Sequence, residues 1–205
     1  MQVVIRLIVA VIFGANFGAL TALWLGGMIS GGPSVGNAID IDGWSSDWSI
    51  GSESANPYVR ARVARNGLLG LRKEEAVYFL KTVDDEGEPF SEACTYRVSG
   101  SGLPAGWWSI TLYDPESRLP MNEDAHLSFD KTQAQQLNDG DDRGWAFQVS
   151  AIAPEVGTAW VPSKAGGAFD LTLRLYQPDQ ILLDDPAATL TPPNIERLSC
   201  DTGAN

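Results

Sequence analysis

Several stretches of this sequence alternate apolar and polar side chains with a period of two, and that pattern limits the fold more than any other feature. In "WWSITLY", Trp108, Ile110 and Leu112 fall on one side, while Trp107, Ser109, Thr111 and Tyr113 fall on the other. "FDLTLRLY" sets Phe169, Leu171, Leu173 and Leu175 against Asp170, Thr172, Arg174 and Tyr176, and "WAFQVSAIA" lines up Trp145, Phe147, Val149 and Ala151. "EEAVYFLKTV" and "ACTYRV", separated by the acidic "DDEGE", predict a hairpin. Successive side chains of an extended strand point to opposite faces, so each run gives one face to a core and the other to solvent. With Gly, Pro and Asp punctuating the runs, the expectation is a mainly β chain built as an antiparallel β-sandwich rather than βαβ units.

The N-terminus obeys a different rule. Arg6 precedes an uncharged, apolar stretch over residues 7–28. As a helix this stretch is about 33 Å long, enough to cross a hydrocarbon core. A cleaved signal peptide and a retained anchor both begin this way. Signal-peptide cores are shorter, and "GGMISGG" makes a poor cleavage site, so the expectation is an anchor in contact with the lipid bilayer through residues 7–28. The next cation after Arg6 is Arg60, an asymmetry that predicts a cytoplasmic N-terminus and a periplasmic C-terminal domain on the bacterial inner membrane. Small residues recur every fourth position, Gly14, Gly18 and Ala22 among them, and predict a homodimer through that stripe. Asn16 can bond across such an interface or within its own helix.

The expected organisation is a transmembrane helix over residues 1–30, a tether over 31–55 and the β-sandwich domain over 56–205. The tether is rich in Gly and Ser but holds Trp44 and Trp48, which lie well beyond the span and are expected to dock on the domain as a first strand. "NPYVRARVARNGLLG" predicts a short helix capped by Asn56, with Pro57 in its first turn, Val59 and Val63 on its apolar face and Gly67 as a stop. Its Arg60, Arg62 and Arg65 read as a solvated face in an acidic protein. The formal charge is -12, and all of it lies beyond Arg6, which argues against nucleic acid as a partner. Cys94 and Cys200 are the two cysteines, and an even pair outside the cytoplasm predicts a disulfide.

Few residues offer catalytic chemistry. The irregular stretch after "WWSITLY" contains Tyr113, Asp114, Arg118, Asp124 and His126, the weak candidates for a catalytic pocket. His126 is the sole histidine, so triad or Cys-His catalysis would have to pass through it, and the bland reading is an exposed loop histidine. "GPSVG" matches G-x-S-x-G around Ser34 but lacks the strand and helix that a nucleophile elbow needs. One histidine and two distant cysteines do not form a zinc set, and "NDGDDRG" reads as a tight hairpin turn rather than a calcium loop. The expectation is no metal and no cofactor.

From about Asn56 to Cys200 the chain resembles the bacterial domain-of-unknown-function family DUF1214, through "NPYVRARVARNGLLGL", "EEAVYF", "CTYRVSG", "WWSITLYD", "FDLTLRLYQPD" and the terminal "RLSC". The resemblance implies a mostly β, sandwich or jelly-roll-like domain in envelope or secreted proteins, and it supplies no catalytic residues. Where such sequences often carry Asn-Trp-Leu-Pro, "TAWVPS" has Ala159. Two functions follow as expectations. The first is a membrane-anchored, non-enzymatic binding or structural module; the second is a periplasmic enzyme acting on a small or glycan-like substrate near Tyr113–His126.

Overall fold

The computed structural model describes residues 1–29, 31, 33, 36–65, 70–123 and 126–201. The first helix, α1 (Gln2–Leu25), is the one near the N-terminus that is long and apolar enough to cross a membrane. Asn16 Nδ2 and Thr21 Oγ1 each donate to the carbonyl four residues back, at 2.8 Å, so both polar side chains are satisfied within the helix. The helix stops at Gly27, whose φ of 73° suits glycine, while Met28 N donates to Leu23 O and Gly27 N to Trp24 O. These two bonds form a Schellman-type ending.

Among the described residues ten strands follow in two sheets. β1 (Ala38–Ile41), β2 (Trp44–Asp47), β3 (Ala76–Lys81), β5 (Ala105–Tyr113), β6 (Ser128–Asp130) and β9 (Asp170–Pro178) make a six-stranded sheet in the order β1-β2-β3-β9-β5-β6. β4 (Cys94–Gly100), β7 (Trp145–Ser150), β8 (Trp160–Pro162) and β10 (Asn194–Cys200) make a four-stranded sheet in the order β10-β4-β7-β8. The pairings are antiparallel except β7 with β8, which run parallel. The described residues also form four short helices: α2 (Pro57–Arg65), α3 (Lys131–Leu137), α4 (Gln180–Asp184) and α5 (Pro186–Thr189).

The alternating runs do what their period requires. Trp108, Ile110 and Leu112 join Leu171, Leu173 and Leu175 from the larger sheet, and Tyr96, Val98, Trp145, Phe147 and Val149 from the smaller, in one buried cluster. Trp108 lies 4.7 Å from Trp145 and Phe129 4.5 Å from Phe147, so aromatic rings join the two sheets. Each such side chain contributes about 1.5–3 kcal/mol by leaving water. Trp44 is fully buried and donates to Pro193 O at 3.0 Å, and Trp48 packs on Phe79, so the segment read as a tether contributes β1 and β2 to the sheet.

The expected hairpin between residues 74–83 and 93–98 does not form: β3 lies in one sheet and β4 in the other. The isolated bridge Val83–Pro89 continues the turn, and Pro89 has no N–H with which to extend a ladder. Phe90 then enters the core, 5.2 Å from both Phe169 and Tyr96, and the chain crosses to the second sheet. The acidic turn instead clamps the neighbouring strand. Asp85 Oδ2 accepts from Ile195 N at 2.6 Å, its Oδ1 pairs with the buried Lys81 at 2.7 Å, and Asp84 accepts from Glu86 N and Glu88 N. "NDGDDRG" is likewise no hairpin turn, because it leads out of α3. There Asp141 pairs with Arg143 and Asp142 with Lys131.

Cys94 and Cys200 are cross-strand partners of β4 and β10 and form a disulfide, their Cα atoms 3.9 Å apart and 106 residues apart in sequence. A loop that long makes the bridge worth about 2–5 kcal/mol through restriction of the unfolded chain. Urea titration of the oxidised chain and of Cys94→Ser should show a loss in that range. Coincident midpoints would mean that the bridge adds nothing.

Candidate functional site

Sending the leucines of β9 into the core forces Asp170, Thr172, Arg174 and Tyr176 onto the opposite face of the larger sheet. Register then fixes their neighbours. Toward β5 the pairs are Tyr113 with Asp170, Thr111 with Thr172, Ser109 with Arg174 and Trp107 with Tyr176; toward β3, Tyr78 lies opposite Arg174 and Leu80 opposite Thr172. This outer face is not left bare. Helix α2 lies over it, with its N-terminus capped by Asn56 Oδ1, which accepts from Tyr58 N at 2.9 Å and Val59 N at 3.0 Å. Val59 is buried, and with Val63 and Arg62 it faces β2, β3 and β9 across a cavity of about 400 Å³. Ile50 and Leu80 extend the apolar lining, and Tyr78, Tyr113, Asp170 and Arg174 supply the polar part. A space of this size suits a small organic molecule.

Arg174 is central to the polar part. Its Nη1 donates to Thr111 Oγ1 at 3.1 Å and its Nη2 to the Tyr113 hydroxyl. The guanidinium lies 5.1 Å from the centre of the Tyr113 ring and 6.0 Å from that of Tyr78, within cation–π range. Among the described residues no carboxylate comes within 4.0 Å of it. Asp47, also on the cavity wall, commits one oxygen to its own turn: its Oδ1 accepts from Asn37 N and Ser49 N, both at 3.0 Å, and from the Ser49 hydroxyl.

Asp170 is the perturbed acid. Burial raises its pKa to about 6; Asp114 adds to the rise, while the Thr172 hydroxyl and Arg174 pull it down. Burial also raises the Tyr78 phenol, with Tyr176 pushing the same way and Arg174 opposing. The combination of an arginine with spare N–H groups, two phenols and an acid that protonates readily can bind a negatively charged or strongly accepting group.

The loop residues singled out by sequence disperse. Tyr113 lines the cavity, together with Ser117 from the loop that follows. Asp114 is half-buried and spends its carboxylate on its own turn, accepting from Glu116 N at 3.0 Å and Arg118 N at 2.8 Å and pairing with Arg118 Nε at 3.3 Å. Arg118 is exposed and also pairs with Glu116 at 2.8 Å. His126 is exposed, and Asp124 lies outside the described residues, as does Ser34. Sequence reasoning placed Arg174 and Asp170 on an outward strand face but not at a site. The available signal was an arginine two residues from an aromatic and four from an acid on one strand face. Of the helix cations Arg60 and Arg65 are exposed, as a solvated face requires, while Arg62 is half-buried. Arg60 donates to Glu53 O and Ala55 O, and Arg62 to Leu25 O at 3.0 Å and Pro33 O at 2.6 Å. Among the described residues no three His, Cys, Asp or Glu side chains group to hold a metal ion.

The Asp170 shift has a defined linkage. The folded pKa lies above the unfolded value, so the native state holds more protons between about pH 4 and 6, and stability falls as pH rises through that window. Asp170→Asn should therefore stabilise the chain at pH 7 by about 1–2 kcal/mol, allowing for screening by solvent at a half-buried site. The gain should vanish below about pH 4, where Asp170 is protonated in both states. Denaturant curves at the two pH values check this; a gain independent of pH would contradict it.

Comparison with known proteins agrees with this architecture. The VPA0106 protein from Vibrio parahaemolyticus has a similar fold, with a TM-score of 0.51 at 20% identity over 71% of this chain and 36% of its own. An uncharacterised protein from Burkholderia cenocepacia is more distant, with a TM-score of 0.42 at 12% identity over 60% of this chain and 30% of its own. The chain thus spans about a third of the length of these solved structures. No curated protein matches it. Residues 75–180, from just before β3 to the start of α4, match the family described as "Protein of unknown function (DUF1214)", and the chain belongs to that family.

Proposed function

We propose that this chain is a cell-envelope protein held in the bacterial inner membrane by α1, its N-terminus cytoplasmic and its two sheets packed as a β-sandwich in the periplasm. In this reading it is a non-enzymatic module that binds a small molecule in the cavity between α2 and the larger sheet. The anchor is supported by the length and apolarity of α1 and by a disulfide that suits an oxidising compartment. Self-association through Gly14, Gly18 and Ala22 belongs to the same proposal, and space beside both glycines is open. One observation carries the binding role: among the described residues the Arg174 guanidinium has no carboxylate partner and sits in a part-apolar cavity, where a charge-assisted pair with an anionic ligand would be strong.

An enzymatic reading has one observation in its favour, the raised pKa of Asp170 beside Tyr113. A thermal-shift screen separates the two. Small organic anions at about a hundredfold excess over Kd should stabilise the full chain by about 2.7 kcal/mol, and Arg174→Gln should lose that response. A screen without hits that depend on Arg174 would refute the binding module, and chemical conversion of such a hit would favour the enzyme. Intact-mass measurement of the membrane fraction should find α1 retained; a shortened chain in the soluble fraction would refute the anchor.

A further inference from the structure

The cavity is two-sided in its chemistry. At one end, Arg174 keeps N–H donors after serving Thr111 and Tyr113, and Tyr78 and Tyr113 flank its guanidinium. The wall also has an apolar part, made by Val59 and Val63 from α2 with Leu80, Phe79 and Ile50, beside the polar Ser45, Ser46 and Thr172. A ligand that fills both parts has one charged end and a hydrocarbon body. We take the charge as a single one: Asp170 and Asp47 share the cavity with Arg174 and with Arg62, whose donors are spent on Leu25 O and Pro33 O, and the chain carries -12 overall, so a dianionic phosphate would meet about twice the repulsion that a lone carboxylate meets.

The position of the cavity supports the same chemistry. Arg62, on its wall, donates to Leu25 O, the last residue of α1, and Ala61 packs beside Gly26 just after it. The helix that roofs the cavity is therefore the one joined to the end of the apolar span, where amphiphiles gather at the membrane surface.

Resting on the binding role proposed above, we infer that the ligand is a single-chain carboxylate amphiphile, its carboxylate on Arg174 and its hydrocarbon chain along Val59, Val63 and Leu80.

The test uses the full chain in phosphatidylcholine nanodiscs with radiolabelled dodecanoate, butanoate and dodecanol, after subtraction of binding to empty nanodiscs. Dodecanoate should bind, and butanoate and dodecanol should each bind at least about tenfold more weakly. Arg174→Gln should weaken dodecanoate by about 10- to 100-fold through loss of one charge-assisted pair. Val63→Trp, which fills the cavity from the α2 side, should have a similar effect while Arg174 stays in place. Circular dichroism and an intact Cys94–Cys200 bridge certify that each variant folds. If butanoate binds as well as dodecanoate and still depends on Arg174, the cavity remains a binding site and the amphiphile is wrong. If dodecanoate binds the wild type and both variants alike, the placement in the cavity is wrong. If no probe binds and the anion screen is also empty, the binding role falls with it.

Discussion

The geometry of the extended strand governs this protein twice. Burying Leu171, Leu173 and Leu175 of β9 against Trp108 and Phe147 drives the two sheets together, and that same burial leaves the intervening residues no choice of direction. Arg174 reaches the outer face because the leucines on either side of it reach the core. Once β3 and β5 flank β9, Tyr78, Thr111 and Tyr113 arrive around that guanidinium through backbone register, with no separate loop needed to place them. A polar centre built this way is held by the interior of the domain and is correspondingly rigid.

The acidic composition is spent differently from place to place. Asp84 and Asp85 are structural: they tie the turn after β3 to β10, and Asp84 Oδ2 lies 3.4 Å from Arg197 Nε in an ion-pair contact without hydrogen-bond geometry. Asp114 organises its own loop, and Asp47 holds the backbone around Ser49. Asp170 is the exception, half-buried and, among the described residues, with only the Thr172 hydroxyl as a hydrogen-bond partner. Carboxylates that look alike in sequence therefore separate into scaffolding that holds turns and one acid whose pKa is raised to about 6.

Much of the architecture was legible. The alternating runs became strands with the expected faces, Asn56 capped its helix, and Trp44 and Trp48 docked as expected. What failed were long-range pairings. Nothing local tells β3 to pair with β9, nearly the whole domain away, rather than with the nearer β4, although Pro89 was a sign that the ladder would stop. Helix α3 was missed despite a readable signal, because Asp130 and Gln133 form a capping box whose spacing stands in the sequence. The candidate site was legible at Tyr113 alone. Density of reactive side chains drew attention to the loop after β5, yet Asp114 and Arg118 satisfy one another there, while Arg174 and Asp170 lay unremarked on a strand.

The bridge between Cys94 and Cys200 joins the first strand of the smaller sheet to the last strand of the chain. Until β10 pairs with it, β4 presents an open edge and Cys94 a bare thiol, and Trp44 lacks its carbonyl on Pro193. The two sheets thus close only once this late strand is in place. That ordering puts sulfur oxidation last and leaves a partly folded chain open to proteases until β10 has zipped into place.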